Sequence, residues 1–340
     1  MMDPSMMAGL FESPMVTNVA FHPRPAEPEF LNSRGRIRDG TFDVSGGEEK
    51  IAYRLILPDG ISPEDVPVII FHFHGNAELC TDVSWNQDTF GQAALISIDY
   101  RGYGWGTGNP SLGKLCKDAE DCFAGSDTVL GDAGLQTDAA KRIVWGRSIG
   151  ATCAVHLAAK FDASIHGLVV DSGLMSIKSL PMVAMLAQGM LGPNASTLLQ
   201  MVPEPFDTPS KLPSVACPTL VMHGDLDEIV PVAQGVLCHA KCGSGSKKFV
   251  RWPDVSHNDV HIRQPSEWSG NFAALVAEAT SFTNPFPIGT IVETHSLSAA
   301  AMNGKQGSVA GPKGERVRVA FPEPMGTKAI KPINLKVIQS

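Results

Sequence analysis

The stretch Arg142-Ile143-Val144-Trp145-Gly146-Arg147-Ser148-Ile149-Gly150 decides how this chain is read. Residues 142–145 are an apolar, strand-sized run, and residues 151–160 carry a helical pattern. Between them lies G-x-S-x-G, a serine at a strand–turn–helix corner, the setting in which this pentapeptide works as a nucleophile elbow. The corner must be tight to lift Ser148 to the carboxyl edge of a sheet. Glycine at 146 and 150 lets neighbouring backbone approach where a Cβ would collide. Ser148 then sits by a helix N-terminus, and the Ile149 N–H points at a developing oxyanion. In a chain with 33 glycines the pentapeptide alone also fits an ordinary turn serine, so its surroundings have to choose.

Moving outward, short apolar runs alternate with helical stretches. Strands are predicted at 68–71, 95–98, 142–145, 168–170, 219–222 and, more weakly, 248–252. Helices are predicted near 114–130, 149–160, 176–191, 231–240 and 266–282. Near-continuous apolar strands separated by helices imply a mostly parallel sheet covered on both faces, an α/β class. Ahead of this unit the runs 41–45 and 51–57 flank Gly46-Gly47 and predict a hairpin. Residues 1–35 read as a loose leader and 36–283 as the main domain. The stretch Phe282-Thr283-Asn284-Pro285-Phe286-Pro287 reads as a linker. Residues 289–340 change character: short β runs with Gly and Pro between them predict a small SH3-like β-barrel module. That tail holds seven Lys/Arg against three Asp/Glu, a net of +4, which leaves −12 for the rest of a chain of net −8.

Three further segments follow predicted strands in the order that an acyl-transfer serine needs. His74-Gly75-Asn76-Ala77 follows strand 68–71, where a second oxyanion donor belongs: a backbone N–H just after His-Gly, at Asn76 or Ala77. His223-Gly224-Asp225-Leu226-Asp227 follows strand 219–222 and offers two acids, Asp225 and Asp227. Ser256-His257-Asn258-Asp259 follows strand 248–252 in a loop able to return His257 to the sheet edge. Ser, then Asp, then His is one of several chain orders that reach the same triad geometry.

With these residues in place, the chain resembles the α/β-hydrolase domain-containing proteins, in particular the Bem46-like branch that includes the depalmitoylating group. The resemblance covers roughly 36–283. Its further matches are Asp99-Tyr100-Arg101-Gly102-Tyr103-Gly104, Gly108-Asn109-Pro110-Ser111, Cys217-Pro218-Thr219-Leu220-Val221-Met222 and Asp227-Glu228-Ile229-Val230-Pro231. It implies an α/β-hydrolase fold with Ser148 as nucleophile, His257 as base and Asp227 as orienting acid. The family's His-Gly-x-x-Asp spacing selects Asp227 over Asp225, which reads as a turn residue bonding its own backbone. Carried over, the oxyanion donors are Asn76 and Ile149. The segment 99–104 is implied to be a loop packed near the site, without a chemical step. Two departures stand out. Depalmitoylating members tend to carry an N-terminal cysteine cluster, whereas the first cysteine here is Cys80, and the tail is not part of the branch.

Other features exclude function classes. The negative balance argues against nucleic acid as a partner. No apolar run reaches membrane-span length, and the N-terminus lacks a signal-peptide pattern. Seven cysteines without a C-x-x-C pair favour reduced thiols in a cytoplasmic setting, with the protein at most peripheral to membranes. His72, His74 and Cys80 lie close together, but no second ligand pair has suitable spacing, so neither a metal nor a cofactor is expected. The Leu/Met-rich segment 174–191 fits either an adaptable groove for an acyl chain or a helix closing the core. The expected activity is hydrolysis of carboxylic esters or thioesters, on small molecules or acylated proteins, with the tail recruiting a protein partner. Two rivals are a non-catalytic ligand-binding protein on the same scaffold and an interaction protein acting through the tail.

Overall fold

The computed structural model describes residues 17, 18, 20–29, 35–201, 204–313 and 316–339. Eight strands form the main sheet: β1 (Ile37–Val44), β2 (Glu49–Ile56), β3 (Val68–Phe73), β4 (Ala94–Ile98), β5 (Lys141–Arg147), β6 (Gly167–Asp171), β7 (Thr219–Gly224) and β8 (Lys247–Trp252). Their order is β1-β2-β4-β3-β5-β6-β7-β8. From β4 to β8 every pairing is parallel. The hairpin β1–β2 and its pairing to β4 are antiparallel. β1 begins four residues before the predicted 41, since it pairs with β2 from Ile37↔Ile56 onward.

The helices that matter here are α1 (Leu115–Asp132), α2 (Gly150–Lys160), α3 (Pro181–Leu191), α4 (Ala195–Met201), α5 (Ala233–Lys241) and α6 (Pro265–Ser281). None is long and apolar enough, among the described residues, to cross a membrane. Every residue of β3 is buried, as are all those of β4, β6 and β7. Two apolar clusters explain this. One packs Phe71, Phe73, Phe123, Val155 and Leu157 on the α1/α2 face. The other packs Trp145, Trp268, Phe272 and Leu275 on the α6 face. At roughly 25 cal/mol per Å² of apolar surface removed from water, these two layers are what holds the parallel strands together.

Most of the predicted leader lies outside the described residues. Its described part is mostly exposed but is tied to the main domain at particular points. Phe21 is buried against Tyr100, and Pro25 bridges to Gly104.

Beyond the linker, β9 (Ile291–Thr294), β10 (Gln306–Lys313), β11 (Arg316–Ala320), β12 (Thr327–Ile330) and β13 (Leu335–Gln339) make a second, antiparallel sheet in the order β12-β11-β10-β9-β13. β12 and β13 are its edges. The closing strand β13 runs from Leu335 to Gln339, and the short β runs read in 289–340 do not single it out. The pattern missed it because its exposed Val337 and Ile338 do not alternate cleanly with polar residues. The core of this sheet is small: Val292, Val309, Val317, Val319, Phe321, Ile330 and Leu335.

Candidate active site

The parallel strands deliver the candidate residues to one edge of the main sheet. Ser148 follows β5, Asn76 follows β3, Asp227 follows β7 and His257 follows β8. The elbow between β5 and α2 is as tight as its glycines imply. A Cβ on Gly150 would lie 2.1 Å from the Phe73 carbonyl oxygen, and one on Gly146 2.4 Å from the Ala151 Cα. Ser148 itself takes φ 52°, a left-handed conformation that costs a non-glycine residue free energy and is held by its neighbours. Its N–H donates to the Asp171 carbonyl at 2.9 Å, and its carbonyl accepts from Leu174 at 2.9 Å.

Ser148, His257 and Asp227 are brought together. His257 Nε2 is 3.1 Å from Ser148 Oγ, and His257 Nδ1 is 2.7 Å from Asp227 Oδ2. All three are buried, with relative exposures of 7%, 5% and 6% in that order. With a carboxylate accepting at Nδ1, the imidazole carries its proton there and leaves Nε2 free to accept from the serine. Asp227 is held ionised. Burial alone would raise its pKa, but hydrogen bonds from His223 and His257 and the Val230 N–H hold it well below the usual carboxylate range. Its Oδ1 accepts from the Ile229 and Val230 N–H groups at 3.0 and 2.7 Å.

Asp225 points elsewhere. Its Oδ1 accepts from Arg251 Nε at 2.8 Å, so its partner is a neighbouring strand rather than its own turn. The i, i+2 spacing hid this, because Arg251 comes into register only when β8 pairs with β7.

The candidate oxyanion turn is equally determined. Ala77 takes φ 65°, and its N–H turns toward the Tyr103 hydroxyl. Among the described residues the N–H groups of Asn76 and Ile149 have no hydrogen-bond partner. The Asn76 side chain is tied back, its Oδ1 accepting from Tyr103 Oη and from the His22 N–H, both at 2.9 Å. Beneath it His74 is fully buried, with Nε2 2.9 Å from Asp99 Oδ1 and Nδ1 2.7 Å from the Gly75 carbonyl. A carbonyl and a carboxylate both accept, an environment that favours the doubly protonated ring. Burial pulls its pKa down, but the Asp99 hydrogen bond and charge, with the Gly75 carbonyl, raise it above the ordinary histidine value. The loop 99–104 thus fixes the turn by named bonds.

With His74 committed in this way, it is not available as a ligand alongside His72 and Cys80. Among the described residues no group of three His, Cys, Asp or Glu converges to hold a metal ion. His156 pairs with Glu120 at 2.6 Å on the helical face. Sequence reading gave no role to His223, Glu78 or Arg147. His223 Nε2 lies 3.2 Å from Asp227 Oδ2 and donates to the Val230 carbonyl at 2.7 Å. The only signal for it was its place at the end of an apolar strand.

The segment 174–191 divides. Leu174 and Met175 are core, beside the Ser148 carbonyl, whereas Met182, Met185 and Leu186 on α3 are exposed at 49%, 76% and 43%. The side chains of Met190 and Leu191 lie outside the described residues.

Comparison with known proteins agrees with the architecture. A family model described as alpha/beta hydrolase fold matches residues 67–216. The α/β-hydrolase domain-containing protein aho-3 of Caenorhabditis elegans is 31% identical over 206 residues, covering 60% of this chain and 56% of that protein. Protein bem46 of Schizosaccharomyces pombe is 31% identical over 202 residues, covering 58% and 64%. The match therefore spans between a half and two thirds of either relative. Among solved structures, the Pyrococcus furiosus esterase Pf2001 superposes with a TM-score of 0.56 at 15% identity, over 76% of this chain and all of that one. Sheet order, elbow and relatives together make this chain an α/β-hydrolase-fold protein similar to the α/β-hydrolase domain-containing proteins.

Proposed function

We propose that the chain is a serine hydrolase that cleaves carboxylic esters or thioesters by two-step acyl transfer. The observation that carries this is the unbroken line from Ser148 Oγ through His257 to Asp227, at 3.1 and 2.7 Å. His257 Nε2 takes the hydroxyl proton as Ser148 Oγ attacks the carbonyl carbon. The tetrahedral oxyanion accepts from the Asn76 and Ile149 N–H groups. His257 returns the proton to the departing alcohol or thiol. Water then attacks the acyl-enzyme with His257 again as base, while Asp227 keeps the imidazole in its Nδ1–H tautomer. No cofactor enters this scheme. Ser148→Ala should lower turnover of a small ester reporter by about 10⁴-fold or more with its far-ultraviolet spectrum unchanged. Wild-type turnover by that variant would remove the reading.

The acyl group is proposed to be of medium or long chain, carried by a small molecule or by an acylated protein as the Bem46-like resemblance implies. The proposed acyl path starts at Leu174, whose N–H donates to the Ser148 carbonyl, and follows α3, where Met182, Met185 and Leu186 are exposed. Between Lys178 and Glu204 the chain has no charged residue. Each buried methylene should add up to about 0.8 kcal/mol of transition-state binding, roughly fourfold in kcat/KM, until the path ends. A rate profile that peaks at acetyl and falls with length would remove this part. The second sheet is proposed as a module that recruits a protein partner and takes no part in the chemistry, on the grounds that the triad is complete by His257. The seven described cysteines are all free thiols, which supports work in a reducing, cytoplasmic setting.

A further inference from the structure

The geometry points to Arg147, the residue just before the nucleophile, as a positioning residue that holds the His257 loop and the oxyanion turn in register with Ser148. This rests on the serine-hydrolase reading above and concerns the same site.

The need for such a brace follows from the strand order. The oxyanion turn leaves β3, next to β5, but His257 leaves β8, which is separated from β5 by β6 and β7. Three strand spacings at about 4.8 Å each make roughly 14 Å of sheet edge that the loop after β8 must recross. A loop of that kind is among the less stable parts of a fold unless its backbone is tied down.

Arg147 ties it. Its Nη2 donates to the His257 carbonyl at 3.1 Å and to Asn258 Oδ1 at 3.0 Å. Its Nη1 pairs with Glu78 Oε1 at 2.5 Å. The other oxygen of that carboxylate, Glu78 Oε2, accepts the Gly75 N–H at 2.7 Å. One guanidinium thus links three separate segments: the elbow that bears it, the backbone of His257 itself, and, through Glu78, the turn that presents the Asn76 N–H. Its side chain is only 9% exposed and Glu78 is 31% exposed, so the bond to the His257 carbonyl is the one best shielded from water. The brace lies close against the turn. A Cβ on Gly75 would lie 2.7 Å from Arg147 Nη1 and 3.0 Å from Glu78 Oε2. A planar fork with several fixed donors suits three acceptors in different directions, and a lysine ammonium reproduces the charge without the fork.

The test compares Arg147→Met, Arg147→Lys, Glu78→Gln and Asn258→Ala in the full chain. For each, kcat and KM on a short-chain p-nitrophenyl ester are measured per active site titrated with a fluorophosphonate, alongside thermal melting. Misplacing a base by about an ångström costs roughly 10²-fold in rate. Arg147→Met should therefore lose roughly that factor in kcat per titrated site, with KM within about threefold of wild type. Arg147→Lys should recover part of the loss, and the two partner variants should each lose less than Arg147→Met. A residue that merely supports folding would lower the titrated fraction or the melting temperature and leave kcat per site unchanged. That pattern, or a methionine variant within twofold of wild type, overturns the proposal. Should Arg147→Met fail to fold, Glu78→Gln and Asn258→Ala decide: wild-type kcat in both overturns it, and reduced kcat in both at unchanged KM supports it. If wild-type protein takes no fluorophosphonate at all, the serine-hydrolase reading itself falls and this proposal falls with it.

Discussion

Along β3 no side chain reaches solvent, whereas along β10 buried residues alternate with exposed or half-buried ones. The two sheets of this chain solve different problems. The central strands of the first are covered on both faces, so their candidate polar groups emerge where those strands end, and the carboxyl ends of β3, β5, β7 and β8 fall along one edge. Candidate catalytic groups collect there because there the backbone is both rigid and accessible. The second sheet has a single buried face and a seven-residue core. It leans on the first: Asp162 accepts from the Ile288 N–H at 2.8 Å and from Asn284 Nδ2 at 3.2 Å, and Arg318 donates to the Pro213 carbonyl at 3.2 Å. The difference teaches that the chemistry should depend on single groups in the first sheet and on none in the second.

The largest effect that would break this contrast lies at the two acids after β7. Asp227→Asn should lose roughly 10³–10⁴-fold in kcat, since the amide no longer favours the productive imidazole tautomer. Asp225→Asn, which removes only a bond to Arg251, should stay within about threefold, as expected for an exposed pair. Steady-state assays of both variants on one ester check this, and a larger loss at Asp225 would reverse the assignment.

A chain ending at Phe282 sharpens the contrast from the other side. It should keep turnover of a small ester within about threefold but melt at a lower temperature. Deleting the tail leaves the Asp162 carboxylate without its Ile288 and Asn284 donors, a loss of about 1–3 kcal/mol. A truncated protein that is folded yet inactive would make the tail part of the site.

Leu186→Ser should lower kcat/KM for a long-chain ester by several fold, about the worth of one or two buried methylenes, and leave an acetate ester unchanged. Equal losses on both esters would place α3 outside the acyl path.

The smallest effect is a pH dependence at the turn 74–77. The folded pKa of His74 is raised, so the stability it contributes is fully present below the unfolded value of about 6.5 and is lost as pH rises through the folded value. Replacing Asp99 with Asn should remove this alkaline loss, measured as melting temperature against pH.

Much of this is legible in the sequence. The period-2 and continuous apolar runs located the strands, and Gly146, Ser148 and Gly150 announced the elbow because backbone crowding leaves no room for another residue type. Bounds of elements shifted by a few residues where pairing, not pattern, sets the end, as at Ile37 and Gln339. The Arg147–Glu78 brace was illegible, since its partners lie 69 and 110 residues away in the chain and nothing local marks them. Asp225 looked like a turn residue for the same reason: its partner is created by sheet register. The segment 174–191 resisted a single reading because its first residues pack into the core while α3 stays at the surface.

The central claim is that Ser148 is a nucleophile activated by His257. The most direct test is intact-mass and peptide mapping after treatment with a fluorophosphonate. The account predicts one adduct per chain, located on Ser148, formed far more slowly in a His257→Ala variant and absent from Ser148→Ala. No adduct on folded wild-type protein, or an adduct that persists in Ser148→Ala, would contradict it.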